Sequence, residues 1–357
     1  MHRRHLIKAA AMAPLATIVS RSAFAFADPE LYPGEKALYA QAQKEGACVS
    51  FDTGPEWANW KSLFRDFKKR YPGIDLTYND IGSAPTVVAL DKMRRRPQAD
   101  TAYYFAASAL DAVKKDVVAP FKPINFEKLP AIFREAEGRW FAVHTLNIAF
   151  LVNRKLVKDV PTSWADLLKP EYKNSVVYLD PRSTGIGQVI VFAAAYANGG
   201  SVEKIAPGTD YFAKLHGAGN VLRVEGTTPY AKFLKGEVPV WIGYENDGLK
   251  AKYVDGMGDA AEVVIPKEAS VAAPYAISLV KDGPNPNAGK LWLNFIMSAP
   301  GQSLFEQGFV RPAVPGISLL GDTKMPASPQ SRPLDVVAAS RQKAEVDRLW
   351  ALAAIGH

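Results

Sequence analysis

"GRWFAVHTLNIAFLVN", residues 138–153, and "EASVAAPYAISLVKDG", residues 268–283, decide the fold of this chain. Both stretches show the alternation and the β-branched and aromatic content of a β-strand. Each stretch is longer than a compact α/β unit needs. Because such a strand is suited to crossing from one lobe to another, the two stretches predict two lobes joined by crossover strands.

Shorter strands alternate with helices in the rest of the chain. "ACVSFDTG", residues 47–54, is a strand that ends in a polar loop, and an amphipathic helix follows in residues 56–73. The same order recurs in residues 74–97, so the pattern predicts a parallel α/β sheet. Ligands bind beyond the carboxyl ends of the strands in such sheets. We therefore expect one rim to contain residues 52–54, 82–84 and 105–108.

The first 27 residues have the pattern of an export leader. They combine a basic start, an apolar middle that is too short to span a bilayer, and an exit rich in small residues. Arg3 and Arg4 resemble the twin-arginine export signal, and an ordinary secretory leader is the alternative. Nothing later in the sequence is long and apolar enough to span a membrane, so we expect a soluble protein outside the cytoplasm.

The composition of the remaining chain excludes several classes of protein. Four of the 43 Lys and Arg residues lie in the leader, which leaves 39 against 36 Asp and Glu and gives no charge excess for nucleic acid. Cys48 is the only cysteine, so the chain has no disulfide and no cysteine-rich metal site. Roughly 330 residues can bury a large core, and chains of this length usually form two lobes.

A third stretch, "YLDPRSTGIGQVIVFAAAYANGG" in residues 178–200, indicates a ligand site. A short apolar strand stops at Asp-Pro, passes through small hydroxyl and glycine residues, and runs into an alanine-rich helix. The first N–H groups of such a helix have no partner within the helix and favour an anion. The stretch therefore predicts an anion site, and a Ser or Thr cap without a ligand is the alternative.

The motifs of common enzymes are missing from the sequence. It contains no G-x-S-x-G, H-E-x-x-H or G-x-x-x-x-G-K-[ST] motif. Two of the five histidines lie in the leader, and Cys48 is the only cysteine. Few candidates therefore remain for general-base or thiol chemistry. The missing motifs disfavour an enzyme, and a secreted lyase or isomerase acting through Tyr244 and Glu245 is the alternative that stays open.

Several blocks of the sequence, in order, carry a resemblance to a known family. Behind the leader these blocks are residues 138–153, 161–188, 233–248, 263–298 and 301–308. The sequence resembles the solute-binding proteins of bacterial ABC importers. Within them it is similar to the branch that includes ferric-iron, thiamine, polyamine, and phosphonate or sugar-phosphate binders. The resemblance covers nearly the whole chain behind the leader.

The resemblance implies an α/β, bilobal periplasmic-binding-protein fold that is like type II. Residues 28–143 and 277–315 would form the first lobe, residues 144–276 the second, and residues 316–357 a C-terminal tail and helix. Such a protein captures one small molecule between its lobes in the periplasm and delivers it to a membrane permease. We expect a monomer with no cofactor, no resident metal ion, no nucleic-acid partner and no enzymatic activity.

The resemblance also implies which residues face the cleft between the lobes. In the second lobe these are Ser183, Thr184 and the N–H groups of Gly185 and Gly187, together with Tyr244, Glu245 and Asp247. The first lobe offers Thr53, Trp57, Ser83 and Ser108, and the predicted crossover strands carry His144 and Tyr275. A solvated turn is the alternative for Glu245 and Asp247. A structural role is the alternative for Trp57 and His144.

The ligand class follows from these residues together with the resemblance. Ferric-binding relatives carry adjacent tyrosines on the loop of Tyr244, and Glu245 replaces the second of them, which argues against iron. An anionic group at residues 183–187 and a polar or cationic group at Glu245 and Asp247 fit a small anionic or zwitterionic solute. An aminophosphonate or a phosphorylated or carboxylated compound is an example. Ferric iron is the first alternative, and a polyamine is the second.

Overall fold

The computed structural model describes residues 29–223, 229–317 and 324–353. The predicted leader, residues 1–27, lies outside the described residues. No helix within these three ranges combines the length and the apolar character that crossing a membrane requires.

The strands of the described chain form one curled, mixed sheet. They are β1 (Ala47–Phe51), β2 (Asp75–Tyr78), β3 (Thr101–Phe105), β4 (Val118–Ala119), β5 (Phe141–Asn153), β6 (Val176–Val177), β7 (Val240–Tyr244), β8 (Ala261–Val264), β9 (Ser270–Val280), β10 (Arg311–Pro312) and β11 (Ser331–Pro333). Neighbours along the main path follow the order β2-β1-β3-β9-β5-β7-β6. The other four strands pair with β5 or β9, which therefore form the centre of the sheet.

Helices cover the sheet. They are α1 (Glu35–Glu45), α2 (Trp60–Arg70), α3 (Ser83–Lys92), α4 (Ala106–Lys114), α5 (Gly185–Ala197), α6 (Ala206–Gly217), α7 (Tyr230–Leu234), α8 (Glu245–Tyr253), α9 (Pro286–Met297), α10 (Ala299–Gln307), α11 (Val336–Arg341) and α12 (Lys343–Ala353). Four of them begin at the end of a strand or after the loop that follows it, namely α3, α4, α5 and α8. Their N-termini are the natural places for ligand contacts.

β5 is shared by two groups of strands. Its residues 141–147 pair with β9, and its residues 148–153 pair with β7 and β8. We call the group with β9 the first lobe and the group with β7 the second lobe. All residues of β5 are buried, which explains why its sequence is mostly apolar. The predicted bilobal α/β fold with crossover strands is confirmed.

The first lobe has the parallel arrangement that the sequence predicts. β1 pairs in parallel with β2 and with β3, and α2 and α3 connect these strands. Parallel strands need such crossover helices because a short turn cannot reverse the chain twice. β9 then returns from the second lobe and pairs antiparallel with β3. The carboxyl ends of β1, β2 and β3 consequently meet at one edge of the sheet.

The second lobe is built on β7. This strand pairs in parallel with β6 and antiparallel with β5. The alanine-rich helix α5 packs against α6, and a Cβ atom at Gly208 of α6 would overlap the backbone of α5 at Val191. The small residues of both helices therefore permit their close approach, and they hold the N-terminus of α5 beside the first lobe.

An aromatic cluster forms the core of the first lobe and joins α2 to α9. Trp292 stacks against Phe64 and Phe295 with ring centres 5.5 and 6.1 Å apart, and its Nε1 donates to Ser50 Oγ at 3.2 Å. Truncating such a buried aromatic side chain costs about 3–5 kcal/mol of the free energy of unfolding. This cluster fixes the helices behind β1 and so fixes the loop that leaves its carboxyl end.

The helix α2 begins later than the sequence predicts. The amphipathic pattern starts at Glu56, whereas α2 starts at Trp60. Ala58 and Asn59 have φ values of 45° and 60°, and residues in this left-handed region do not continue a right-handed helix. Trp57 therefore precedes the helix and lies half-buried at the edge of the sheet. Its position is a consequence of the two left-handed residues that follow it.

Candidate functional site

A cavity of about 190 Å³ lies at the carboxyl ends of the first-lobe strands, and we call it the first-lobe cavity. Its lining residues are Asp52, Gly54, Trp57, Asp80, Gly82, Ser83, Tyr103 and Tyr275. They belong to the loops that follow β1 and β2, the start of α3, and the strands β3 and β9. The rim predicted from strand alternation contributes four of these eight residues, Asp52, Gly54, Gly82 and Ser83.

Hydrogen bonds hold the rim segments together. The N–H of Asp52 donates to Asn79 Oδ1 at 2.8 Å, and Asp52 Oδ1 accepts from the Gly82 N–H at 2.6 Å. The φ of Asp52 is 62°, an uncommon value for a residue with a side chain. The N–H of Phe105 donates to Ser83 Oγ at 2.9 Å. The ends of β1 and β3 are thereby fixed against the start of α3.

Two carboxyl groups face the first-lobe cavity. Burial raises the pKa of Asp52 to about 7, against the lowering effect of the Gly82 N–H bond, and the charge of Asp80 adds to the rise. A Cβ atom at Gly54 would overlap the Asp80 carboxylate, so a side chain there would displace this carboxylate from its position. No basic residue is among those that line the cavity. A positively charged ligand group would stabilise the ionised form of Asp52.

Four ring side chains form what we call the aromatic wall: Trp57, Tyr103, His144 and Tyr275. Trp57 meets Tyr275 edge-on with ring centres 4.8 Å apart. Tyr103 and His144 stack on Tyr275 at 5.7 and 5.4 Å. Aromatic faces attract positive charge, and the attraction is strongest for tryptophan. Together with the two carboxyl groups, the wall is suited to a cation.

His144 is the most deeply buried ring of the aromatic wall. It is fully buried in β5, where its Nε2 is 2.7 Å from the Tyr103 hydroxyl. Burial lowers the pKa of His144 to about 3, so the ring is neutral at physiological pH. The residues that line the first-lobe cavity include Tyr103 and not His144. The structure therefore gives His144 a contact that positions Tyr103.

The hydroxyl and glycine residues of the predicted anion site cap α5. Thr184 Oγ1 donates to Asp180 O at 2.9 Å and accepts from the Gly187 N–H at 3.1 Å. A Cβ atom at Gly187 would overlap the backbone of Asp180, which explains this glycine. Ser183 is exposed, with its hydroxyl 3.4 Å from the same carbonyl. The Thr184 hydroxyl and the Gly187 N–H are therefore occupied within the protein.

Gly185 brings the second lobe against the first. A Cβ atom at Gly185 would lie 3.2 Å from the ring of Phe105, the last residue of β3. The Phe105 ring is itself 5.5 Å from that of Tyr275 in the aromatic wall. The N–H groups of Gly185 and Ile186 have no hydrogen-bond acceptor among the described residues. They are the free donors at the start of α5.

Glu245 has a partner within the protein. Its carboxylate is fully buried and accepts two bonds from Arg311, from Nε at 2.6 Å and from Nη2 at 2.9 Å. Arg311 also donates to Pro326 O at 2.7 Å. An ion pair of this geometry satisfies both carboxylate oxygens. The structure thus assigns Glu245 to the junction of the lobes, whereas the sequence suggests a contact with the ligand.

A second cavity of about 190 Å³ lies between the lobes, and Trp57 lines it as well. Asp247 and Asn246 of α8 line it together with the loop before α2. Burial raises the pKa of Asp247 to about 7. The hydroxyl of Tyr244 is 3.5 Å from that of Tyr275. The start of α8 consequently contributes to the cleft through Asp247, whereas Tyr244 is buried and lines neither of the two cavities.

Thr53 and Ser83 have hydrogen-bond partners within the protein, and Ser108 lies outside the linings of the two cavities. Thr53 is buried, and its hydroxyl donates to Ser50 O at 3.1 Å. Ser83 lines the first-lobe cavity while accepting the Phe105 N–H. Ser108 lies half-buried in the first turn of α4 and is not among the residues that line the two cavities. The structure thus brings together Trp57, Ser83 and Tyr275 from the predicted set.

The two acids of the first-lobe cavity are absent from the predicted ligand contacts. Asp52 comes directly after β1, and Asp80 comes two residues after the end of β2. Ligands of α/β sheets bind at these carboxyl ends. The position of the two acids after adjacent strands is the signal that identifies them. Tyr103 carries no such signal, because its alternation within an apolar strand is equally typical of the core.

Comparison with known proteins identifies the family. The family model described as bacterial extracellular solute-binding protein matches residues 99–334. A putative 2-aminoethylphosphonate-binding periplasmic protein of Salmonella typhi is 26% identical over 253 residues, which are 69% of this chain and 71% of that protein. The residues that the family model matches include both crossover strands, β5 and β9.

Solved structures share the fold. The periplasmic binding protein AfuA of Actinobacillus pleuropneumoniae, with fructose-6-phosphate bound, has a TM-score of 0.66 at 21% identity and covers 86% of this chain and 98% of its own. Iron-bound HitA of Pseudomonas aeruginosa has a TM-score of 0.70 at 16% identity and covers 87% and 99%. Because the family model spans most of the chain, the chain belongs to the bacterial extracellular solute-binding proteins and is a periplasmic binding component of an ABC importer.

Proposed function

We propose that the ligand is a small zwitterion with an ammonium group and an anionic group, such as an aminophosphonate. The observation that carries this proposal is the first-lobe cavity, in which Asp52 and Asp80 stand beside the aromatic wall. A cavity of about 190 Å³ has room for a compound of only a few non-hydrogen atoms. The first-lobe cavity therefore has the size of a small solute.

The ammonium group would bind in the first-lobe cavity. A carboxylate that accepts a hydrogen bond from an ammonium group contributes about 1.5–3 kcal/mol. The indole of Trp57 adds a cation–π contact of about 0.5–2 kcal/mol, depending on how well water is excluded. Neither contact favours a ligand that carries only negative charge. The cavity thus selects for the amine.

The anionic group would bind at the start of α5. The free N–H groups of Gly185 and Ile186 point to this end, and Phe105 connects it to the aromatic wall. A helix N-terminus favours an anion by about 0.3–1 kcal/mol when exposed and up to about 2 kcal/mol when partly buried. A ligand with both charges would therefore contact both lobes, which is the arrangement that favours closure.

The similarity to a putative 2-aminoethylphosphonate-binding protein supports this proposal. That compound carries an ammonium group and a phosphonate group on a two-carbon chain. Fructose-6-phosphate, which AfuA binds in its solved structure, carries only the anionic group. The carboxyl groups of the first-lobe cavity favour the first of these chemistries.

Titration calorimetry with four compounds tests the proposal. We expect 2-aminoethylphosphonate to bind, and ethylphosphonate and ethylamine, each with one charged group, to bind at least tenfold more weakly. Putrescine provides the comparison with a polyamine. If ethylphosphonate binds as tightly as 2-aminoethylphosphonate, the cavity does not recognise an ammonium group. If putrescine binds most tightly, the ligand is a polyamine.

Ferric iron is a second candidate, because three tyrosines converge. The hydroxyls of Tyr244 and Tyr275 are 3.5 Å apart, and Tyr103 stacks on Tyr275. Burial raises the pKa of all three hydroxyls and so disfavours the phenolates that iron requires. For this reason we place iron second. We expect the protein to stay colourless with ferric citrate. An orange colour that Tyr244→Phe abolishes would make iron the ligand.

Three further parts of the proposal concern the whole protein. Residues 1–27 direct export, through the twin-arginine route, and the mature protein acts as a monomer. It binds its ligand without chemical change. Phosphorus NMR of 2-aminoethylphosphonate after prolonged incubation should show the compound intact, and gel filtration with light scattering should give the mass of one chain.

A further inference from the structure

The C-terminal segment, residues 324–353, contacts both lobes, and we call it the strap. Its first element, β11, pairs in parallel with β9, with Ser331 opposite Ser270 and Pro333 opposite Ala272. Before β11, the Ser328 hydroxyl accepts a hydrogen bond from Asn147 Nδ2 of β5 at 2.9 Å. The strap thus begins on the two strands that join the lobes.

The strap continues onto the first lobe through α11. This helix packs against α4, and its residues Val336 and Ala339 are buried. Asp335 caps the helix by accepting the N–H groups of Val337 and Ala338, both at 3.0 Å. The cap and the buried face fix α11 in one position on the first lobe.

The strap ends on the second lobe through α12. Trp350 is 2% exposed and packs between Phe212 of α6 and Tyr178, with ring centres 5.1 and 5.6 Å apart. Val346 is buried beside it. A tryptophan in such a position is an anchor, because its truncation leaves a large cavity.

The link between the two helices has no slack. α11 ends at Arg341 and α12 begins at Lys343, so Gln342 alone joins them. The N–H of Gln342 donates to Ala339 O at 3.0 Å, and its carbonyl accepts from the Val346 N–H at 2.8 Å. One residue advances the chain by 3.8 Å at most. The two helices therefore move as one body.

The anchor of α12 also lies next to the start of α5. Tyr178, which Trp350 contacts, is two residues before Asp180, and the Asp180 carbonyl holds the Thr184 cap. A change in the packing of Trp350 would move Tyr178 and, through the backbone, the loop that contains Asp180. The strap consequently borders the cleft on the side of the second lobe.

We propose that the strap limits how far the lobes separate and so sets the open–closed equilibrium of the ligand-free protein. Hinge motion at β5 and β9 changes the distance between α4 and α6. Because the helices on these two elements are joined by one residue, opening requires that α11 or α12 leave its position. The loss of buried contacts opposes this, and the closed form gains in population.

Distances between spin labels on the two lobes test the proposal without any ligand. Val88→Cys in α3 and Leu156→Cys after β5 place labels at exposed positions, and Cys48 is buried. Three changes are compared in this labelled protein: Trp350→Ala, an insertion of two glycines after Gln342, and Leu352→Ala as the control on an exposed face of α12. Electron–electron double resonance measures the distribution of distances.

We expect longer and broader distances in the Trp350→Ala protein and in the insertion variant, and the parent distribution in Leu352→Ala. The insertion keeps both packed faces, so it decides the matter if Trp350→Ala does not fold. A lower melting temperature with unchanged distances in the insertion variant would make the strap a purely stabilising segment and overturn the proposal. The result does not depend on the identity of the ligand.

Discussion

The two lobes contribute different chemistry to the cleft. The first lobe presents side chains, namely the carboxyl groups of Asp52 and Asp80 and the aromatic wall. The second lobe presents the start of α5, where Thr184 is occupied as a cap and the free donors belong to the backbone. Side-chain charge is specific to a residue, whereas a helix start is generic. Selectivity should therefore reside in the first lobe, and the second lobe should mainly complete the enclosure.

The largest effect should come from Glu245, which belongs neither to the side chains that line the first-lobe cavity nor to the start of α5. Glu245→Gln breaks the buried ion pair with Arg311, and we expect the free energy of unfolding to fall by about 3 kcal/mol. Glu345→Gln, in an exposed pair with Arg348, should change it by less than about 0.5 kcal/mol. Urea unfolding measures both.

The same Glu245 variant separates a structural role from a ligand contact. Affinity for 2-aminoethylphosphonate should stay within about threefold of the parent, which is less than 1 kcal/mol. A hundredfold loss of affinity at unchanged stability would return Glu245 to the ligand site that the sequence suggests.

Asp52→Asn tests the contribution of the first lobe. We expect the affinity for 2-aminoethylphosphonate to fall about 30- to 100-fold, since the ammonium group loses a charged acceptor. Stability should not fall, because burial already disfavours the charge of Asp52. Asp116→Asn, at an exposed ion pair with Lys281, is the matched control. An equal loss of affinity for ethylphosphonate would show that Asp52 acts on the shape of the cavity.

The pH dependence of binding also tests the role of the Asp52 carboxyl group. With a pKa of about 7, Asp52 is mostly protonated at about pH 6 and mostly ionised at about pH 8. Since the ionised form binds the ammonium group, affinity should rise about tenfold across this interval. The phosphonate of the ligand titrates equally in both proteins, so the difference between parent and Asp52→Asn isolates the carboxyl group. Parallel pH profiles would contradict this role.

The smallest effect is expected in the second lobe. Thr184→Ala removes the cap of α5, and Ser298→Ala removes the corresponding cap of α10. Ser298 is not among the residues that line the two cavities. Each substitution should cost about 1 kcal/mol of the free energy of unfolding. Only Thr184→Ala should also weaken 2-aminoethylphosphonate binding, by about threefold. If both variants bind like the parent, the start of α5 does not contact the anion.

The sequence predicts the architecture well because the architecture follows from local patterns. Two long apolar strands, residues 138–153 and 268–283, and a regular alternation elsewhere are sufficient for two α/β lobes. The ends of β1 and β2 are likewise predictable, and they carry Asp52 and Asp80. These features depend on periodicity, which a single sequence displays directly.

The details of the site depend on contacts that no local pattern displays. Glu245 meets Arg311 from 66 positions further along the chain. Trp57 leaves the predicted helix because Ala58 and Asn59 are left-handed, a conformation that alanine rarely adopts. Both outcomes are decided by packing between distant segments, so the pattern of residues alone predicts a ligand contact for Glu245 and a helix for Trp57.

The continuous burial of β5 has a consequence for cooperativity. β5 supplies hydrogen bonds to both lobes. When one lobe unfolds, it therefore also disrupts the strand on which the other lobe is built. Neither lobe is an independent folding unit, and a fragment that ends within residues 141–153 would leave unpaired backbone in an apolar environment. The protein should lose its structure in a single thermal transition, and a ligand that touches only one lobe should raise the temperature of that transition for the whole molecule.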